Sequence, residues 1–422
     1  MKIVQVSKRF VIDERGAPEV FFAETFRRLV ERGISAEIFA TRAFSEVPHE
    51  RFLNISITRF PYFYPNLGLS ADAKTALDHK TGDPFSFALK RALRKEKDAD
   101  LIHISTGSRL GSFARAAAKR RQIPYVISLT GEFFVFPNSR SGAASMPLLQ
   151  QDPSKGSLDW GMPLEALYGA GKVLEGASAI ICSGRNDFTA ASRKFPEKKV
   201  VFLPNGVDMK RFSFGNGPWF RHMYRIPEER FLILSVGEID PKKNQLTLIR
   251  QLPDVLDKAS HVHLLCIGNI ADPSYYDRLL KEIALQKLQK RVTIIPGLPY
   301  DGQDLVNAYL AADCFVLPSL YEPFGMSVLE AWAAGLPVAA AKRGGPGYLV
   351  EHKKTGLLFD PEAPARFSES VKDALIALAL DKDMREKYAK TGYKTAAERY
   401  SWDIITDRLL ALYEEVVASS AK

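Results

Sequence analysis

The feature that most restricts how this chain can fold is a regular alternation of short, nearly all-apolar runs with longer helical patterns. Strand-like runs fall at 2–6, 36–40, 56–59, 100–104, 124–129, 178–182 and 199–203. A second set falls at 231–236, 262–267, 292–295, 313–317, 337–340 and 357–359. Runs that are apolar at every position suit parallel strands covered on both faces, and strand–helix alternation builds doubly wound sheets. The series breaks once, at Pro204-Asn205-Gly206-Val207-Asp208, with a polar stretch up to Pro227. Proline and Asn-Gly punctuate a chain in this way. The 422 residues accommodate two domains. The expectation is therefore an α/β protein of two doubly wound, Rossmann-like domains, 1–205 and 206–400, facing across a cleft. Ligands of open α/β sheets collect beyond the carboxyl ends of the strands, so the loops there are the places to search.

Composition narrows the function classes. A hydrophobic fraction of 46% with 25% charged residues is that of an ordinary globular protein. No apolar run approaches the ~20 residues that span a bilayer, and the start, MKIVQVSKRF, lacks the long apolar run of a signal peptide. Cys182, Cys266 and Cys314 each lie inside an apolar run with no pairing or metal spacing. That pattern fits reduced structural thiols and a cytoplasmic protein without a bound metal. The net charge of +9 is uneven: residues 1–205 hold 30 Lys+Arg against 21 Asp+Glu, and the remainder holds 28 against 28. A basic first half attracts anionic partners, such as phosphorylated acceptors or the headgroups of an inner membrane face, unless the charges are only solvated helix faces. No nucleic-acid-binding motif accompanies it.

The most informative local stretch is Glu322-Pro323-Phe324-Gly325-Met326-Ser327-Val328-Leu329-Glu330. A helical pattern follows, so the two carboxylates stand just over two turns apart, one at a helix mouth and one on its face. Between them the N–H groups of Gly325, Met326 and Ser327 are donors of a helix start, a seat for phosphate. An anion seat flanked by carboxylates that accept hydroxyl hydrogen bonds describes a nucleotide-sugar pocket; a surface helix with two ordinary glutamates is the plainer alternative.

Three other loops follow strand-like runs. Gly16, before a helical pattern at 20–32, would let backbone approach a diphosphate, or marks an ordinary turn. In Val236-Gly237-Glu238-Ile239-Asp240-Pro241-Lys242-Lys243-Asn244, Lys243 lies at a helix start where an ammonium could neutralise a departing phosphate. Lys342-Arg343-Gly344-Gly345-Pro346-Gly347 reads as a glycine-rich turn beside a ligand or as a tight turn alone.

Taken together these residues resemble the retaining glycosyltransferases of the two-domain GT-B type, specifically family 4, the group that includes sucrose-phosphate synthases and many bacterial glycan and lipid glycosyltransferases. The resemblance rests on the first-loop glycine, Leu203-Pro204-Asn205-Gly206-Val207-Asp208, VGEIDPKKNQ, Ala311-Ala312-Asp313, the block PSLYEPFGMSVLEAWAAGLPV, the GGP turn, Thr355-Gly356-Leu357-Leu358 and Tyr400-Ser401-Trp402. It implies that Glu330 binds the donor ribose, that Glu322 contacts the donor sugar, and that Phe324, Gly325, Met326 and Ser327 line sugar and phosphate. It implies that Lys243 holds the diphosphate, that Gly16 admits it, and that Pro296-Gly297-Leu298 receives the base through backbone groups. A C-terminal helix at 401–418 would return to the first domain. Chemistry would need no metal or other cofactor; the co-substrate would be a UDP-, GDP- or ADP-linked sugar.

The chain departs from the family pattern in three places. Glu238 stands where an arginine is usual, Thr130 where a sugar-contacting histidine is usual, and Tyr348 where a glutamate follows the GGP turn. Arg343 or Arg185 are the candidates to replace the missing cation. Residues 133–168 form a long aromatic connection (Phe133, Phe134, Phe136, Trp160) that would stack on a sugar or cover a lipid on the acceptor side, or pack on itself; Tyr62-Phe63-Tyr64 poses the same question. The expected activity is retaining transfer of a hexosyl group to a hydroxyl of a glycan, small sugar or lipid-linked acceptor, with Glu322, Lys243 and Thr130 at the reacting centre. The rivals are a synthase or phosphorylase using a free sugar phosphate, a non-catalytic nucleotide- or glycan-binding relative, and an epimerase on the same architecture.

Overall fold

The computed structural model describes residues 1–12, 16–79, 82–105, 109–129, 158–159, 172–363 and 370–420. The chain divides into two compact units, Met1–Pro204 with Ile405–Lys422, and Asn205–Ile404.

The first unit is built on strands β1 (Lys2–Val6), β2 (Ser35–Thr41), β3 (His49–Phe52), β4 (Ile55–Phe60), β6 (Leu101–Ile104), β7 (Tyr125–Leu129), β9 (Ala179–Cys182) and β10 (Lys199–Phe202); two short strands, β5 (Asn66–Leu67) and β8 (Leu158–Asp159), pair separately. The sheet order is β10-β9-β7-β6-β1-β2-β4-β3, parallel except for the β3–β4 pair. Every residue of β6, β7 and β9 is buried, as covered parallel strands require. The helix Trp402–Ser420 contributes its Ile405, Leu409, Leu412, Tyr413 and Val416 to the buried core. The Tyr413 hydroxyl meets Nδ1 of His103 on β6, and Asp407 pairs with Arg32 at 2.5 Å.

The second unit carries β11 (Phe231–Val236), β12 (Val262–Ile267), β13 (Val292–Ile295), β14 (Cys314–Leu317), β15 (Val338–Ala341) and β16 (Leu357–Phe359), in the order β13-β12-β11-β14-β15-β16 and parallel throughout. Two apolar clusters sandwich this sheet, one around Ile249, Leu264 and Leu375, the other around Phe315, Trp332 and Tyr309. Asp313, at the entry to β14, accepts from Leu232 N (2.7 Å) and pairs with Arg221 (2.8 Å), so one carboxylate clamps the helix Gly217–Met223 to the start of the central strands β11 and β14.

The chain passes between units at 204/205 and again at 404/405, and the segments beside these crossings pair. Val207 N donates to Tyr400 O (2.7 Å) and Trp402 N to Val207 O (3.2 Å). A Cβ on Gly206 would stand 2.6 Å from the Trp402 ring, so only glycine lets the indole lie against the backbone there.

Among the described residues no helix is long and apolar enough to cross a membrane, and no three His, Cys, Asp or Glu side chains gather as metal ligands. The three cysteines are free and buried, and burial pushes the thiols of Cys182 and Cys266 up to about 12.

Candidate donor site of the second unit

The sheet order places a topological switch between β11 and β14, because β11 leads outward to β12 and β13 while β14 leads to β15 and β16. A crevice opens beyond the strand ends at such a point. Here the loop after β11 meets the loop after β14. Leu320 N donates to Lys242 O (2.8 Å), and Lys243 Nζ pairs with Glu322 Oε2 at 2.6 Å. Asn244 sits in the left-handed region (φ 59°), which asparagine tolerates. Its side-chain amide donates to Pro318 O (3.3 Å) and Pro361 O (3.2 Å), fixing the turn that aims Lys243 inward.

The loop 318–325 then turns into the helix Met326–Ala333 through Gly325 at φ 94°. Glu322 Oε1 accepts from Gly325 N (3.2 Å), so that amide is already partnered, and Met326 and Ser327 supply the first helical N–H groups. The glycine-rich segment after β15 forms the short helix Gly344–Leu349 rather than a bare turn. Gly345 N donates to Glu322 O (2.8 Å). A Cβ on Gly344 would come to 2.3 Å from Glu322 O, and one on Gly345 to 2.2 Å from Phe324 O. These glycines therefore hold the Glu322 loop by direct backbone contact.

Glu330 lies one face deeper. It is 5% exposed, and its Oε2 accepts from the Tyr309 hydroxyl at 2.7 Å. Its other oxygen, Oε1, is buried with no hydrogen-bond partner among the described residues. Burial raises its pKa above the ordinary carboxylate range, opposed by the Arg211 charge and the Tyr309 and Tyr300 hydroxyls. A buried acceptor with a spare oxygen is costly unless something donates to it, and a ligand hydroxyl has that chemistry.

The remaining rim is backbone. Gly237 and Gly268, at the ends of β11 and β12, approach so closely that a Cβ on Gly268 would fall 1.8 Å from Gly237 O. Gly297, after β13, has φ 89°, and Asn269 Oδ1 occupies the space a Cβ would need (2.3 Å). Leu298 follows it, half-buried against the second apolar cluster.

The structure thus brings Lys243, Glu322, Gly325 and the first turn of the Glu330 helix to one crevice. Glu238 is exposed in the same loop as Lys243, and its carbonyl accepts from Gln245 Nε2 at 2.8 Å. Arg343 is turned outward to Glu362 and Asp360, and Arg185, in the first unit, lies 4.3 Å over the Phe202 ring. Tyr348 is 59% exposed. Thr130, Phe133, Phe134 and Trp160 lie outside the described residues. In the first unit Gly16 caps the helix Ala17–Glu31 with no side-chain bond, and the buried Glu19 in that first turn pairs with Arg9 at 2.9 Å. Sequence reasoning missed Tyr309 and Arg211, which act on Glu330 from a distant helix and a 3-10 turn. It also passed over Asn244, for which an asparagine after a Lys-Lys pair at a helix start was the available signal.

Comparison with known proteins places the chain in a family. The profile "Glycosyl transferase 4-like domain" matches residues 16–206, and "Glycosyl transferases group 1" matches residues 220–395. An uncharacterised glycosyltransferase of Methanocaldococcus jannaschii is 30% identical over 52% of this chain and 55% of its own length, so the chain matches about half of that relative. The D-inositol 3-phosphate glycosyltransferase 1 of Catenulispora acidiphila is 26% identical over 96% of this chain and 92% of its own. In fold, the sucrose-phosphate synthase of Thermosynechococcus elongatus superposes with a TM-score of 0.72 at 20% identity, covering 99% of each chain. The chain belongs to the family 4 glycosyltransferases and has their GT-B architecture of two Rossmann-like domains.

Proposed function

We propose that the protein transfers a sugar from a nucleotide diphosphate sugar to an acceptor hydroxyl with retention of anomeric configuration, as a hexosyltransferase. The observation that carries this reading is the crevice at the β11–β14 switch, where Lys243 and Glu322 pair across the two loops and Glu330 presents a buried oxygen without a donor. In this reading the ribose hydroxyls donate to Glu330, and the diphosphate lies against Lys243 and the N–H groups of Met326 and Ser327. Glu322 shares its charge between Lys243 and a donor-sugar hydroxyl. Positive charge beside the leaving phosphate stabilises the anion that develops as the bond between the sugar and the phosphate breaks. The step is front-face: the departing phosphate oxygen accepts the proton of the attacking hydroxyl, which needs no side-chain base. Gly297 and Leu298 would take the base of a UDP-, GDP- or ADP-linked donor through backbone groups, and Gly16 would admit the diphosphate.

The acceptor is a carbohydrate or other polyol, free or lipid-linked. The relative matched over nearly the whole chain bears a name that refers to D-inositol 3-phosphate, which supports a polyhydroxylated acceptor. The basic first half supports a cytoplasmic protein with peripheral contact to an anionic membrane face.

The test is the melting temperature of wild type and Glu330→Ala with UDP, GDP, ADP and dTDP and their sugars. A ligand that binds only the folded state raises the melting point. One nucleotide class should stabilise the wild type, and the variant should bind it more weakly by about 1–3 kcal/mol. Equal stabilisation of both proteins would remove Glu330 from the site, and stabilisation of neither would favour a sugar-phosphate substrate or a non-catalytic relative.

A further inference from the structure

The net charge of the chain resides in its first half, and the structure shows where part of it is concentrated. The helix Phe87–Lys95 reads FALKRALRK, capped by Ser86, whose hydroxyl accepts from Leu89 N. Leu89 and Leu93 are buried on its inner side. The outer side carries Lys90, Arg91, Arg94 and Lys95, and the helix holds no acidic residue. The pairs Lys90/Arg94 and Arg91/Lys95 stand four apart, where like charges repel. Another helix of the same unit, Ala17–Glu31, does the opposite: Arg27 and Arg28 are matched by Glu24 and Glu31 at 2.6–3.2 Å.

With Arg120 from the helix Arg109–Arg121, these side chains and Phe87 line a pocket of about 500 Å³, and among the described residues no carboxylate lines it. Among the described residues, Arg91, Arg94, Lys95 and Arg120 make no ion pair. Cations in a last turn complement the helix dipole, which accounts in part for Arg94, Lys95 and Arg120. It does not account for Lys90 and Arg91, a turn earlier. Lys90 Nζ lies 5.1 Å over the Phe113 ring, which holds one wall, and Phe87 is 46% exposed at the mouth, stacked on Phe85.

We propose that this pocket is a phosphate-binding site for a ligand carrying two or more phosphate charges. Three guanidinium groups around one cavity suit phosphate oxygens, which they bind in bidentate fashion. Two sources share this chemistry: the headgroups of anionic phospholipids, beside which the exposed Phe87 would reach the acyl boundary, and a soluble polyphosphorylated molecule. The site lies wholly within the first unit and owes nothing to the donor crevice.

The experiment uses the full chain, the double variant Arg91→Glu/Arg94→Glu, the milder Arg91→Gln/Arg94→Gln, and a control, Lys382→Glu/Lys394→Glu. The control changes net charge as much as the Glu variant does, on an exposed helix of the other unit. The probes are tripolyphosphate by calorimetry, and vesicles of phosphatidylcholine with and without phosphatidylglycerol by flotation. Each cation near an anionic surface contributes a factor of roughly five. Wild type should bind at least one anionic probe, and the Glu variant should bind it tenfold or more weakly. The Gln variant should fall between, and the control should match wild type. Binding to tripolyphosphate identifies a soluble ligand, and binding to phosphatidylglycerol vesicles alone a lipid one. Absence of binding to both probes, or an equal loss in the control, would overturn the proposal.

Discussion

Both sheets have a switch point at their first strand, and the two are furnished differently. In the first unit the switch lies between β1 and β6 and is bridged by neutral groups: Gln5 Nε2 donates to Ser105 Oγ (3.0 Å), which donates to Val6 O (3.1 Å). Its acid–base pair, Arg9–Glu19, sits within one loop and helix. In the second unit the bridge is itself charged, Lys243 to Glu322, and glycines press the neighbouring backbones together behind it. The same topology therefore yields a crevice in each sheet, but among the described residues the charged bridge lies across the second. Glu19, buried and paired with Arg9, holds the first turn of the helix that Gly16 opens. Doubly wound topology supplies the place for a ligand, and the side chains at the strand ends decide whether an anion is welcome.

The comparison breaks most readily at the glycines. Gly345→Ala drives a Cβ into the Phe324 backbone, which cannot rotate away, whereas Gly33→Ala in the first unit meets nothing within 4 Å and suffers only from its φ of 81°. Overpacking of this kind costs up to about 3 kcal/mol, and the left-handed strain about 1–2 kcal/mol. Denaturant titration should rank Gly345→Ala as the more damaging, and it alone should abolish nucleotide binding. Equal losses would mean that the Glu322 loop yields without cost.

Next in size is Tyr309→Phe, which removes the donor to the buried Glu330 Oε2. A loss of roughly 1–3 kcal/mol in unfolding free energy is expected, partly restored by saturating nucleotide. A variant as stable as wild type would show that Glu330 is held by other means.

How much of this was legible in the sequence depends on which interactions are local. The covered parallel strands declared themselves because each residue is apolar. Strand β3, His-Glu-Arg-Phe, did not, because it is an antiparallel edge whose side chains are exposed or half-buried. Glu322, Glu330 and Lys243 were readable from spacing and helix-start chemistry. Tyr309 and Arg211 were not, since only packing brings them to Glu330. The outward turn of Arg343 follows from Glu362, nineteen residues away, and no spacing rule forecasts it.

The smallest expected effect is acidic. Among the described residues each unit buries a neutral histidine: His103, held between the Tyr413 and Ser128 hydroxyls, and His263, bonded to Thr293. Burial lowers His103 to about 3 and His263 to about 4, the latter helped by Arg230 and Arg221. The unfolded chain takes up a proton near 6.5 that the folded one refuses, so acidification favours unfolding. The stability these groups contribute is present above pH 6.5 and is lost as pH falls toward 4. The melting temperature of wild type should therefore drop toward that of His263→Asn between pH 6.5 and 4.5. A gap that stays constant over that interval would mean His263 titrates normally in the fold.

The central claim is that Lys243 receives the diphosphate at the second switch point. The most direct measurement is calorimetric titration of the nucleotide that stabilises the wild type, as its diphosphate and its monophosphate, into wild type and Lys243→Ala. The account predicts that wild type prefers the diphosphate by roughly tenfold, the scale of one charge-assisted contact, and that the preference vanishes in the variant while monophosphate affinity persists. An unchanged preference in Lys243→Ala would contradict it and place the diphosphate elsewhere.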